Sequence, residues 1–162
     1  MTEAKRYTGG CLCGALRYEA AGEPRFTGHC YCVDCQKASG SGFIPFMAFA
    51  ASAVRVTGET RPSVTKALSG GDATRNRCAA CGSLVFGGEL GQSDMLNIYA
   101  GTLDDPSSFR PRIAIFARSR PPGRDPAGAQ GVRRAADPRS FAPKLRFGAP
   151  RSRLCGDRYC AT

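Results

Sequence analysis

Tryptophan is absent from this 162-residue sequence, and His29 is its only histidine. No apolar run approaches the 18 residues that mark a membrane-spanning helix, and the N-terminus lacks the charged-then-apolar pattern of a secretory signal. Any histidine acid–base chemistry therefore depends on His29 alone. From these absences and the chain length we expect one cytoplasmic domain with no membrane partner.

Acidic residues are scarce, with 13 Asp and Glu against 23 Lys and Arg, a net charge of +10. Residues 1–117 carry 12 basic and 10 acidic residues, a net +2, whereas residues 118–162 carry 11 and 3, a net +8. The first part also lacks a stripe of interleaved aromatic and basic residues. The sequence therefore argues against nucleic acid as a partner, and leaves only the basic tail to support that hypothesis.

Cysteine, in contrast, is abundant, with nine residues in all and seven of them within residues 11–81. The seven form three groups: Cys11 and Cys13, then Cys30, Cys32 and Cys35, then Cys78 and Cys81. Nine cysteines would suit a disulfide framework in a secreted protein, but nothing in the sequence points to export. In a reducing compartment these Cys-X-Cys and Cys-X-X-Cys spacings are typical of metal ligands.

Short apolar segments separated by Gly and Asp turns predict a mainly β domain. The predicted strands lie within residues 15–20, 25–32, 43–50, 54–57, 63–68, 73–86, 95–100 and 113–117, and residues 73–86 contain two strands joined by a cysteine turn. We expect residues 1–8 to be a polar lead-in. Residues 34–39 fit one helical turn, capped by Asp34 and ended by the glycines that follow.

Two of the cysteine pairs end in glycine, since Gly14 and Gly82 follow their second members. The four cysteines of these pairs are Cys11, Cys13, Cys78 and Cys81. On a strand, residues i and i+2 face the same side, and a Cys-X-X-Cys turn likewise aims two sulfurs at one point. We therefore predict that these four form a tetrahedral, structural zinc site.

The remaining cysteines, Cys30, Cys32 and Cys35, leave a tetrahedral zinc one ligand short, as a catalytic zinc requires. The fourth ligand is water, a substrate thiolate or His29, and in the last case this second site is also structural. Because His29 and Cys30 are adjacent on a predicted strand, they point to opposite faces, which argues against His29 as a ligand. We therefore expect a reactive centre at the three cysteines, with His29 as a neighbouring acid or base.

At these residues the sequence resembles the glutathione-dependent formaldehyde-activating enzyme (Gfa) family, which includes relatives of centromere protein V. Five segments carry the resemblance in family order: residues 9–18, 29–40, 78–86, 97–105 and 115–121. It implies a β-tent fold of antiparallel sheets with two zinc ions, one held by the four cysteines and one at the active site with the three. It also implies a carbon–sulfur lyase that joins glutathione and formaldehyde.

From this resemblance we expect zinc-dependent chemistry on a thiol, such as glutathione, and a small aldehyde. A tripeptide carboxylate would need a cation, for which Lys37, Arg17 and Arg75 are candidates. The alternative is a non-enzymatic zinc module that binds glutathione or a protein partner. Domain limits of 1–121 and 122–162 follow, because family members continue with a tryptophan where this chain becomes rich in Arg, Pro, Gly and Ala.

We expect the 122–162 tail to be disordered or the product of a reading-frame change. Its two cysteines, Cys155 and Cys160, have no partner pair, and we expect them to be incidental thiols rather than ligands of a third metal.

Overall fold

Two β-sheets dominate the part of the chain that the computed structural model describes, namely residues 5–67, 70–122 and 133–134. The strands are β1 (Arg6–Gly10), β2 (Arg17–Ala21), β3 (Phe26–Cys30), β4 (Ile44–Ala50), β5 (Val54–Thr57), β6 (Thr60–Lys66), β7 (Asp72–Cys78), β8 (Leu84–Gly87), β9 (Met95–Tyr99), β10 (Ile113–Ile115) and β11 (Arg133–Arg134). One α-helix, α1 (Val33–Ser39), follows β3. Short 3₁₀ helices occupy Ala51–Ala53, Ala100–Thr102, Pro106–Ser108 and Ala117–Ser119.

The smaller sheet has the order β1-β2-β5, and the larger has the order β11-β10-β3-β4-β9-β8-β7-β6. Neighbouring strands run antiparallel except at β10, which pairs parallel with β3 and with β11. The predicted mainly β fold with antiparallel sheets is confirmed. No helix within the described ranges is long and apolar enough to cross a membrane.

The first strand corrects the sequence prediction, because residues from Arg6 onward are not a polar lead-in. Tyr7 is the one large apolar residue of β1, so the segment carries little alternation, yet it pairs with β2 and packs on Phe49 with ring centroids 5.3 Å apart. Gly9 allows this pairing to lie close to the main core. A Cβ atom there would sit 2.2 Å from the Thr102 carbonyl oxygen and from the Tyr18 hydroxyl.

The main core lies between the two sheets and contains residues from both. From the smaller sheet come Tyr7, Tyr18 and Ala20, and from the larger come Met47, Phe49, Phe86, Leu96 and Ile98. A second apolar cluster contains Phe46 and Tyr99, which are sequence neighbours of Met47 and Ile98. Because successive residues of a strand point to opposite faces, this second cluster covers the outer face of the larger sheet.

The helix α1 is longer than the single turn predicted, and Cys32, not Asp34, is its N-cap. The sulfur of Cys32 accepts a hydrogen bond from the Cys35 backbone N–H at 3.3 Å, so a thiol takes the place of the usual oxygen. Asp34 lies in the first turn, where its charge favours the helix dipole. Gly40 ends the helix with φ of 65°, a left-handed conformation that suits glycine.

Most of the basic tail falls outside the described residues, and with it the predictions made for Cys155 and Cys160 and for tail disorder. The exception is β11, whose two residues pair with Ile113 and Ala114 of β10.

Candidate metal centres and the adjoining site

The four glycine-ended cysteines come together, although 70 residues of sequence separate the first from the last. Their sulfurs all lie within 4.8 Å of one another. The Cys11–Cys13 separation is 3.5 Å and the Cys13–Cys78 separation is 3.8 Å. A disulfide would require about 2.05 Å, whereas tetrahedral zinc with bonds of about 2.3 Å places its sulfurs about 3.8 Å apart. The four sulfurs therefore fit a tetrahedral metal.

Two similar turns position these sulfurs. The Gly14 N–H donates to the Cys11 carbonyl at 3.2 Å, and the Gly82 N–H donates to the Cys78 carbonyl at 2.9 Å. Both glycines have positive φ, +79° and +73°, and neither has an atom within 4 Å of a Cβ position. Glycine is thus favoured here by its backbone conformation and not by close contact with a neighbour. The turn, rather than strand alternation, aims the Cys-X-Cys pair at one point.

The four-cysteine cluster links the two sheets. Cys11 comes directly after β1 of the smaller sheet, and Cys78 is the last residue of β7 in the larger sheet. The turns are also joined directly, because the Leu12 N–H donates to the Ser83 hydroxyl at 3.2 Å. A metal at this cluster would therefore cross-link the sheets at the edge of the core between them.

The remaining three sulfurs form a second cluster, also within 4.8 Å of one another, with Cys30 and Cys32 separated by 3.5 Å. Cys30 ends β3, Cys32 is the N-cap of α1, and Cys35 lies in the first turns of that helix. A strand end followed by a helix start, rather than one continuous strand, brings them together. The cluster lies on the outer face of the larger sheet among Ile44, Phe46 and Tyr99.

Negative charge in this second cluster centres on Cys32. Hydrogen bonds from the thiols of Cys30 and Cys35 hold the pKa of the Cys32 thiol far below its ordinary value, and the charge of Arg75 lowers it further. The hydrogen bond with Cys32 raises the pKa of the Cys30 thiol. The negative charge therefore lies on Cys32, and the pKa values of the other two thiols are raised.

Arg75 is the one of the three candidate cations that lies beside this cluster. Its side chain is 7% exposed, its Nη2 is 3.9 Å from the Cys35 sulfur, and its Nη1 donates to the Thr65 hydroxyl at 2.9 Å. Lys37 is exposed on α1, and Arg17 donates to the Asp104 carboxylate at 2.9 Å. The buried guanidinium of Arg75 therefore offsets negative charge on the sulfurs.

Tyr99 also adjoins the three sulfurs, and the sequence reasoning missed it. It belongs to the same apolar cluster as Cys30 and Cys32 and is 9% exposed. Burial raises the pKa of Tyr99 well above its usual range. The phenol therefore stays protonated and can donate a hydrogen bond. The alternation of side chains along β9 could have predicted this position, because it places Tyr99 on the face of the sheet opposite to that of the core residue Ile98.

His29 lies apart from the sulfurs. It is 5% exposed, and its ring lies 4.7 Å from that of Phe43 and 5.7 Å from that of Phe109. Its Nδ1 has no hydrogen-bond partner among the described residues. Burial lowers the pKa of His29, and the charge of Arg120 lowers it further, so the imidazole is neutral at neutral pH. His29 is also absent from both cysteine clusters, so its predicted acid–base role stays a prediction.

The two clusters could each hold a metal ion, and thiolate ligands with tetrahedral spacing suit zinc. Four sulfurs complete a tetrahedral zinc, while three leave one coordination position open. The predicted division of the seven cysteines into groups of four and three agrees with this geometry.

Comparison with known proteins gives the family. A crystal structure of a Rhodobacter sphaeroides protein aligns with a TM-score of 0.46 and 19% identity, covering 65% of this chain and 92% of that one. No curated protein matches the chain. A family model described as "Glutathione-dependent formaldehyde-activating enzyme" matches residues 6–119, which contain both cysteine clusters. The chain therefore belongs to the glutathione-dependent formaldehyde-activating enzyme family.

Proposed function

We propose that this protein is a zinc-dependent carbon–sulfur lyase that forms or breaks an adduct between a thiol, such as glutathione, and a small aldehyde. The observation that carries the proposal is the three-sulfur cluster, which falls one ligand short of a tetrahedral set and lies beside a buried arginine. Cys30, Cys32 and Cys35 would hold the reactive zinc, and the other four cysteines would hold a structural one. Because seven thiols must stay reduced, we assign the protein to the cytoplasm.

The reaction is an addition without any change of oxidation state. The sulfur of the thiol forms a bond to the aldehyde carbon, the C=O double bond becomes a single bond, and the thiol proton ends on the resulting oxygen. A zinc ion held by Cys30, Cys32 and Cys35 would lower the pKa of a thiol bound at its open coordination position, so that the thiol could react as the thiolate.

Residues around the sulfurs supply charge compensation and a hydrogen-bond donor for the reaction. Arg75 offsets the additional negative charge that a fourth thiolate brings into an apolar site, where an unpaired charge would be costly. The protonated hydroxyl of Tyr99 is available to donate to the oxygen as its charge develops. His29 is neutral and surrounded by aromatic rings, and we propose no direct contact between it and the reacting thiol. Its predicted acid–base role stays a prediction.

The test is NMR exchange spectroscopy on a mixture of glutathione and ¹³C-formaldehyde. The measured quantity is the exchange rate between free and adduct carbon, and the mixture without protein gives the uncatalysed rate. We expect wild-type protein to raise this rate and the Cys32→Ser variant to leave it at the uncatalysed value. Equal rates with wild type and variant would refute the proposed reaction. Two tightly held zinc ions in a protein that binds glutathione without catalysis would instead support the non-enzymatic module.

A further inference from the structure

A separate cleft of about 390 Å³ opens at the other end of β3 from the reactive cysteines. Phe26 and Thr27 line it, and Phe26 begins the strand that Cys30 ends. At about 3.3 Å per residue, the two ends are roughly 13 Å apart. None of the seven cysteines lines this cleft, so it is distinct from both candidate metal centres.

The floor of the cleft is rigid. Tyr7, Thr27 and Met47 line it, and all three are buried. Met47 and Tyr7 also belong to the main core, so neither can move aside freely. A volume of this size falls within the range of small-molecule sites. The half-buried side chains of Pro24 and Phe26 supply apolar surface at its wall.

The rim is basic. Lys5 and Glu23 lie 3.6 Å apart, so their charges largely offset each other. Arg110 and Arg112 are exposed, and neither forms an ion pair with a residue in the described ranges. Asp105 interacts only weakly with Arg110, because hydrogen bonds from Ser107 chiefly lower the pKa of Asp105 and the charge of Arg110 adds a smaller effect. The rim therefore carries an excess of positive charge.

The two arginines are fixed to the floor through their backbone. The Thr27 hydroxyl donates to the Arg110 carbonyl, and the Arg112 N–H donates to the Thr27 carbonyl at 2.9 Å. The guanidinium of Arg110 is held as well, since its Nη1 donates to the carbonyls of Ser107 and Phe109. A guanidinium that is held before any ligand binds, as that of Arg110 is, loses little entropy on binding.

We propose that this cleft binds a small organic anion, with its carboxylate or phosphate between Arg110 and Arg112 and its apolar body against Pro24 and Phe26. Guanidinium groups pair with both anions through parallel hydrogen bonds. The two apolar side chains favour a hydrophobic body in addition to charge. The site is independent of the thiol chemistry proposed for the cysteine cluster.

Two fluorescent probes test the proposal on the full-length, zinc-loaded protein. 8-Anilinonaphthalene-1-sulfonate is an aromatic anion, and N-phenyl-1-naphthylamine is its uncharged counterpart. We expect the anion to bind at least about tenfold more tightly, and to weaken as salt screens the arginines. Equal binding of the two probes would overturn the proposal.

Variants then locate the bound anion. The double variant Arg110→Gln/Arg112→Gln should weaken its binding about tenfold, while zinc content and melting temperature stay unchanged. The control Arg55→Gln/Arg61→Gln removes the same charge from exposed sites on β5 and β6, and should have little effect. An equal loss of affinity for the anion in the two double variants would overturn the proposal, because it would show only a general attraction of the anion to a basic protein.

Competition distinguishes the two headgroups. Displacement of the bound anion by octanoate supports a carboxylate ligand, and displacement by phenyl phosphate supports a phosphate ligand. Failure of both competitors at millimolar concentration would overturn the assignment of this cleft to organic anions.

Discussion

The two cysteine clusters have similar chemistry but different places in the fold. The four-cysteine cluster joins a turn after β1 to a turn after β7, and so bridges the two sheets. The three-cysteine cluster lies at the junction of one strand and the helix that follows it, on the outer face of the larger sheet. One cluster connects distant parts of the chain, whereas the other spans six consecutive residues.

We propose different roles for the two clusters, because both their ligand counts and their places in the fold differ. A cross-link between sheets stabilises the whole domain, and its four sulfurs leave no coordination position free. A cluster held within one local segment can be lost at smaller cost, and its missing ligand leaves room for a substrate. Burial differs too, because Cys13 and Cys81 are exposed while Cys30 and Cys32 are buried beside Arg75.

The largest expected effect comes from Cys81→Ser. Structural zinc contributes about 10–16 kcal/mol to folding in small zinc domains, which equals or exceeds the usual net stability of a domain. We expect this variant to be largely unfolded at 25 °C when measured by circular dichroism. A cooperative thermal transition near that of wild type would contradict the role of this cluster as the link between the sheets.

Cys32→Ser should behave differently. Serine is itself a good N-cap, so α1 should keep its first turn and the melting temperature should fall by only a few degrees. Zinc content should fall by one equivalent, and the acceleration of adduct exchange should disappear. If this variant unfolds as completely as Cys81→Ser, the distinction between the two clusters fails.

Arg75→Gln should weaken glutathione binding by about tenfold to a hundredfold, because a buried thiolate would lose its nearby cation. Isothermal titration calorimetry on the zinc-loaded protein measures this. Arg75→Lys should recover part of the affinity, since it restores the charge but not the planar group. Arg17→Gln is the control, because that residue pairs with Asp104 at the surface. Equal effects at positions 75 and 17 would contradict a local role for Arg75.

The smallest effect concerns His29. Its folded pKa lies below the unfolded value of 6.5 because of burial. The unfolded chain therefore binds more protons as pH falls through and below 6.5, and stability should decrease over that range. His29→Phe removes this titration, so its unfolding free energy should depend less on pH there than that of wild type. His29→Gln is the matched non-titrating control, and denaturant titrations with excess zinc provide the measurement. An unchanged pH dependence in both variants would show that His29 does not titrate on unfolding.

Sequence patterns predicted most strands and the grouping of the cysteines, because alternation and ligand spacing are local signals. They missed β1, because Tyr7 is its only large apolar side chain and gives little alternation. This segment is a strand because it pairs with β2. They also missed the contribution of Tyr99. The sequence could not decide which of Lys37, Arg17 and Arg75 lies beside the three sulfurs, since this depends on how β7 and α1 are placed in three dimensions.

We propose that the four-cysteine cluster holds zinc for the fold and the three-cysteine cluster holds zinc for chemistry. Both roles can be tested together by measuring the zinc content of the purified protein and its zinc exchange against a chromogenic chelator, with and without glutathione. We expect two zinc ions per chain, one that resists the chelator and one that exchanges, with glutathione altering the exchange of the second ion alone. Two ions that exchange at the same rate, with no response to glutathione, would contradict this proposal.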